Sequence, residues 1–139
     1  MSKSSRIREA DPMAAYRKKA KTDAPRVSSP AAVFAQEQAA AATIGGKRHA
    51  GSGALTGARS DASSDRFQVE CKQTGKLSLG LTVDWLIKIS HEAHGCGKVP
   101  LMHLEFLAAP PDVSKRWVMM EEWMFQRLLA GSEGSDEFV

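Results

Sequence analysis

Phe67-Gln-Val-Glu-Cys-Lys-Gln73 alternates apolar and polar side chains, the two-residue period of a strand with one covered face. Phe67, Val69 and Cys71 point one way, and Gln68, Glu70 and Lys72 the other. Upstream, Ser29-Pro30 precedes an alanine-rich run that ends at Ile44 before Gly45-Gly46. That pattern predicts a helix with Ser29 as N-cap, Pro30 at its first position and glycine as terminator. Lys47 to Asp65, rich in Gly, Ser and Ala, predicts a loop with short, irregular strands. Leu81 to His94 carries apolar Val83, Leu86, Ile87 and Ile89 and runs into Gly95-Cys-Gly97, which predicts a second helix. Pro100 to Leu107 and Arg116 to Met120 predict strands on either side of the breaker Pro110-Pro111. Glu121 to Ala130 predicts a closing helix, with acidic residues in its first turn and Arg127 in its last, as the helix dipole favours. Helix, strands, helix, strands, helix is the order of an α/β fold built on one mixed sheet.

The 139 residues allow one hydrophobic core, and the composition confines it to part of the chain. The first 30 residues hold eight Lys/Arg against three Asp/Glu and few large apolar side chains beyond Ile7, Met13, Tyr16 and Val27. Such a segment buries too little to offset its ordering entropy. Residues 1–28 are therefore expected to be a disordered basic arm, 29–130 the folded domain and 131–139 a flexible acidic tail. With an isoelectric point near 9.0, the arm suits a polyanionic partner; a merely solubilising arm is the plainer alternative. No run of 18 apolar residues and no signal-peptide pattern occurs, so a soluble, cytoplasmic protein without a membrane partner is expected. Cys71 and Cys96 lack CxxC spacing, which argues against a disulfide framework or structural zinc. His91 and His94, near Cys96, have no matching ligand pair for a zinc site.

Chemistry concentrates around Val69-Glu70-Cys71-Lys72. Strand periodicity sets Glu70 and Lys72 side by side, so the carboxylate can hold a divalent cation while the ammonium positions an attacking water. A surface ion pair is the commoner meaning of Glu-x-Lys taken alone. Asp61 lies upstream at a distance suited to a hairpin, so a second carboxylate can converge on an oxygen-ligand site for Mg²⁺ or Mn²⁺. Asp65 competes for that role but sits where a turn is expected. At about 100° per residue, Glu37 falls among Val33, Phe34, Ala41 and Ile44 on the apolar face of the first helix, with Gln36 and Gln38 off it. A carboxylate there needs a cation or hydrogen bonds, unless that end of the helix is open to water. Trp85, Trp117, Trp123 and Phe125 lie at helical or strand spacing among apolar residues, as core or interface side chains do.

The helix carrying Glu37 is followed by Lys47-Arg-His-Ala-Gly-Ser-Gly-Ala54, then Gly57-Ala-Arg-Ser-Asp61, then Phe67-Gln-Val-Glu-Cys-Lys-Gln-Thr74 with Ser78, and then Gly97-Lys-Val-Pro-Leu101. In these segments the chain, from about Phe34 to Leu129, resembles the archaeal-type Holliday junction resolvases and their phage-encoded relatives, within the PD-(D/E)xK nuclease superfamily. The resemblance implies a restriction-endonuclease-like core, a central mixed sheet flanked by helices, in a homodimer that cuts branched DNA during recombination, in a bacterial host cell if phage-encoded. It implies Mg²⁺ (or Mn²⁺) held by Asp61, Glu70 and the backbone carbonyl of Cys71, with Lys72 assisting the water and Glu37 completing the acidic cluster. Ser52 would approach the scissile phosphate. The family's Pro-Asp reads Ser60-Asp61 here, with a short interval to Glu70.

Lys47, Arg48, Arg59 and Lys76 flank this set and are expected to meet backbone phosphates, although for each taken singly a solvated rim is the commoner meaning. A homodimer also follows from Trp117 to Leu129, where more apolar side chains crowd together than one face of a short helix can bury. Two rivals stand beside a junction resolvase: a nuclease of the same fold acting on flaps or duplex DNA, and a non-catalytic DNA-binding module.

Overall fold

Ser29 opens the first helix as predicted. Its hydroxyl accepts the N–H of Ala32, and Pro30, with no N–H to leave unpaired, begins α1 (Pro30–Thr43). The computed structural model describes residues 28–50 and 60–134 of the chain. The expected arm therefore lies outside the described residues except for Ser28, whose hydroxyl donates to Gln73 Oε1. Ser52 and Arg59, two of the expected DNA contacts, lie outside them as well.

After α1 come β1 (Lys47–Arg48), β2 (Ala62–Ser63), β3 (Phe67–Thr74), α2 (Val83–Gly95), β4 (Val99–Phe106), β5 (Arg116–Met120) and α3 (Glu122–Gly134). The strands form one open sheet in sequence order. β3 and β4 run parallel, with Val69 beside Leu101 and Glu70 beside Met102; the other neighbours are antiparallel. Among the described residues the fold is thus α/β with a mixed sheet of five strands and three helices, as the pattern predicts. The parallel pair needs a crossover, and α2 supplies it. No helix among the described residues is long and apolar enough to cross a membrane.

The two sheet faces have different chemistry. Ala40 and Ala41 of α1 pack on Ala62, Val69 and Leu101, and these small side chains let the helix lie close to the strands. Ile44, Phe67, Cys71 and Met120 surround that core. Where the alanines end, polar side chains take over. Gln36, expected off the buried face, is itself buried: its amide donates to the carbonyls of Lys72 and His103 and meets His103 Nδ1. Phe34, expected on the buried face, is exposed, with the Arg48 guanidinium 4.4 Å from its ring centroid. Buried Glu105 accepts from Gln73 and Arg116. On the opposite face, Ile89 and Ala93 of α2 are buried over β3 and β4.

The C-terminal end departs from expectation at the boundary of α3 and narrows it for the aromatic residues. α3 runs through Gly134 rather than stopping at Ala130, so its last turn takes up residues assigned to the tail. Trp117, Trp123 and Phe125 are not core: each is more than two-fifths exposed, while Met124 is the buried anchor of α3. A single helix following an edge strand covers only one stripe, so the other apolar side chains stay in solvent.

α1 ends in a Schellman turn, in which the N–H of Gly45 donates to Ala42 and that of Gly46 to Ala41. Gly45 has φ 65°, a region costly for any side chain, but a Cβ there would meet nothing. A Cβ on Gly46 would lie 2.1 Å from the Ser63 carbonyl oxygen. Gly45→Ala is therefore expected to cost about 1 kcal/mol, and Gly46→Ala about 3 kcal/mol, because backbone must move. Urea unfolding of the two variants measures this; equal losses would contradict the close approach of β2 to the helix end.

Candidate active site

The α2 face of β3 carries Gln68, Glu70 and Lys72, and α2 runs over it in the opposite direction. Trp85, Lys88 and Glu92, spaced three and four residues apart, form one stripe of that helix. Lys72 Nζ lies 4.5 Å from the Trp85 ring centroid, a cation–π contact. It also lies 3.4 Å from Glu70 Oε1, and Lys88 Nζ reaches the same oxygen at 3.8 Å. Glu70 is 7 % exposed, so its charge depends on these ammonium groups more than on water. Burial pushes the Glu70 carboxyl above its ordinary range and the Asp61 charge adds to that, while Lys88 and Lys72 pull it part of the way back.

Asp61 comes from the other side of the hairpin. β2 pairs with β3 only through Ala62 with Val69 and Ser63 with Gln68, so the ladder stops short of Cys71. Asp61 continues the edge with its side chain: Oδ2 accepts the Cys71 N–H at 2.8 Å, and its own N–H donates to Val69. In a strand the N–H and C=O of one residue point the same way, so the Cys71 carbonyl faces the Asp61 edge. The Cys71 thiol is raised far above its ordinary value, by burial first and then by the charges of Asp61, Glu37, Glu70 and Glu105. It is an inert side chain; the backbone of Cys71 is what the edge uses.

Of the expected set, Asp61, Glu70, Cys71 and Lys72 meet at this edge. Glu37 does not join them. Its helix packs on the Phe67, Val69 and Cys71 face, and its carboxylate forms a 2.7 Å ion pair with Arg48 Nε. The buried carboxylate thus takes its cation from Arg48 rather than standing in an acidic cluster, and the Arg48 side chain, engaged through Nε, stays about one-quarter exposed. Among the described residues no three His, Cys, Asp or Glu side chains are grouped so as to hold a metal. Lys47, at the start of edge strand β1, and Lys76, just after the central strand β3, are exposed. Asp65 sits in the turn before β3, as expected of the competing aspartate.

Lys88 and Glu92 were not foreseen, because charged residues on an amphipathic helix ordinarily face water; their spacing from Trp85 was the available signal. Both carboxylate oxygens of Glu92 are out of solvent without a hydrogen-bond partner, as is Gln68 Oε1 on the strand. Burial raises the Glu92 carboxyl; Lys88 opposes the shift and Asp61 adds to it. The α2 face therefore holds more oxygen than its donors satisfy. No protein-family model, curated protein sequence or solved structure matches the chain.

A carboxyl whose proton affinity is higher in the folded than in the unfolded chain lends stability below its ordinary range, and that stability is lost as pH rises through the shifted value. Ionised Glu70 thus weakens the fold at neutral pH. Glu70→Gln is expected to raise the melting temperature at pH 7 by a few degrees, with the gain vanishing at pH 3. An unchanged or lower value at pH 7 would show that the two lysines fully offset the burial of Glu70.

Proposed function

We propose that this chain is a metal-dependent DNA endonuclease with a restriction-endonuclease-like core, acting on branched DNA and above all on four-way junctions. The observation that carries this reading is the junction of β2 and β3, where Asp61 takes the Cys71 N–H beside the Glu70 and Lys72 pair. Without the hairpin those residues would be a surface ion pair and a turn aspartate.

The donor chemistry fits Mg²⁺ or Mn²⁺. Asp61, Glu70 and the Cys71 carbonyl are hard oxygen ligands, and two carboxylates with water suffice for Mg²⁺. A bound cation there would polarise the phosphate and lower the pKa of its water. Glu70 is preorganised for this, because its burial leaves its charge underscreened. Lys72, held between Glu70 and the Trp85 ring, keeps an ammonium where charge builds on the phosphate oxygens. In the hydrolysis a water oxygen bonds to phosphorus, the bond from phosphorus to one sugar oxygen breaks, and that oxygen leaves with a proton. Lys47, Lys76 and the basic arm would bind the flanking phosphates.

Symmetric resolution needs two nicks on opposed strands, and one site makes one at a time. A two-fold homodimer meets that need. Trp117 and Val118 on edge strand β5, with Trp123, Phe125 and Leu129 on α3, are exposed and offer it an apolar surface.

With a labelled four-way junction, cleavage is expected only when Mg²⁺ or Mn²⁺ is added. Asp61→Asn and Glu70→Gln should lower the rate at least about 100-fold while leaving junction affinity within a few-fold. Asp65→Ala should stay near the wild-type rate. Binding without product at every metal concentration would favour a non-catalytic DNA-binding module, and faster cutting of flaps or duplexes would move the substrate to those forms. For the dimer, Phe125→Glu is expected to sediment as a monomer that nicks one strand only; a monomeric wild type that cuts both strands in one encounter would contradict it.

A further inference from the structure

Two ammonium groups converge on one oxygen: Lys72 Nζ at 3.4 Å and Lys88 Nζ at 3.8 Å from Glu70 Oε1. Together they place two positive charges where a divalent cation at Glu70 would bring its own two. All three cannot stay, since like charges a few ångströms apart in a partly buried site repel strongly. Lys72 is anchored, with its ammonium over Trp85 and its side chain about one-quarter exposed. Lys88 pairs with Glu70 and feels the charge of Glu92, but it rises from the surface of α2 and its side chain is half exposed. It can move into water at little cost.

We propose that Lys88 is an exchangeable counter-ion of the site: it neutralises Glu70 in the free protein and, when a divalent cation takes that oxygen, swings out to a DNA phosphate. This rests on the nuclease reading above and extends it to a residue on the opposite wall of the site. Lys88 links the two binding events, because the cation that displaces it also frees a positive charge for the DNA. Glu70 meanwhile never stands uncompensated in its buried position.

The test uses the full-length protein, with Lys88→Met to remove the charge and Lys88→Arg to restore it. Cation binding is read by terbium luminescence excited through tryptophan, with Trp85 close to the site and Glu70→Gln as the control. Lys88→Met is expected to bind terbium about two- to fivefold more tightly, the range for an exposed ion pair. In Ca²⁺ it should bind a four-way junction more weakly, with a salt dependence shallower by about one counter-ion. Lys88→Arg should return both values toward wild type. If wild type binds terbium through Glu70 and Lys88→Met leaves that affinity unchanged, the assignment of Lys88 is overturned and the nuclease reading stands. If wild type binds no terbium, both fall together.

Discussion

A carboxylate removed from water must keep a cation near it, and the α2 side of this sheet is arranged around that requirement at Glu70. The strand places Lys72 on the same face, α2 lowers Lys88 from above, and both ammonium groups meet a single oxygen. Asp61 works against them, adding negative charge from the neighbouring hairpin. The outcome is a carboxyl that holds its proton more tightly than usual in a protein that would be easier to fold without its charge. Such local cost is common where a side chain is reserved for chemistry.

The opposite face satisfies the same rule in a closed form. Glu37 is matched by Arg48, Glu105 by Arg116 and Gln73, and Gln36 ties α1 to the backbone of two strands. These groups have partners of good geometry, so they fix where α1 sits and leave little for a ligand to satisfy. The α2 face, by contrast, retains the unpartnered oxygens of Glu92 and Gln68. The contrast explains why acidity alone is a poor guide here: Glu37 and Glu70 are equally buried, yet one is neutralised by a guanidinium and the other by two ammonium groups, one of them on a half-exposed side chain.

Local patterns in the chain carried most of the architecture. Ser29-Pro30 and Gly45-Gly46 mark α1 because caps are local chemistry, and the alternation from Phe67 to Gln73 marks β3 because a half-covered strand has period two. Asp61 was legible because the length of a hairpin determines what lies across from Glu70. What stayed hidden depends on contacts between distant segments. Gln36 is polar by type but buried by its bonds to Lys72 and His103, and Arg48 is held by Glu37 and the Phe34 ring. Lys88 and Glu92 lie on a helix whose rotation about its axis is set by Ile89 and Ala93 against the sheet. The glycines and serine near the chain's end hid the last turn of α3, since a helix end tolerates them where an interior would not.

Asp61 and Glu70 are proposed to hold a divalent cation together, without Glu37. Manganese binding followed by electron paramagnetic resonance tests it without relying on cleavage. One manganese per chain is predicted for wild type and for Glu37→Gln, with binding lost in both Asp61→Asn and Glu70→Gln. Manganese bound equally well by all four proteins, or lost only with Glu37, would contradict the account.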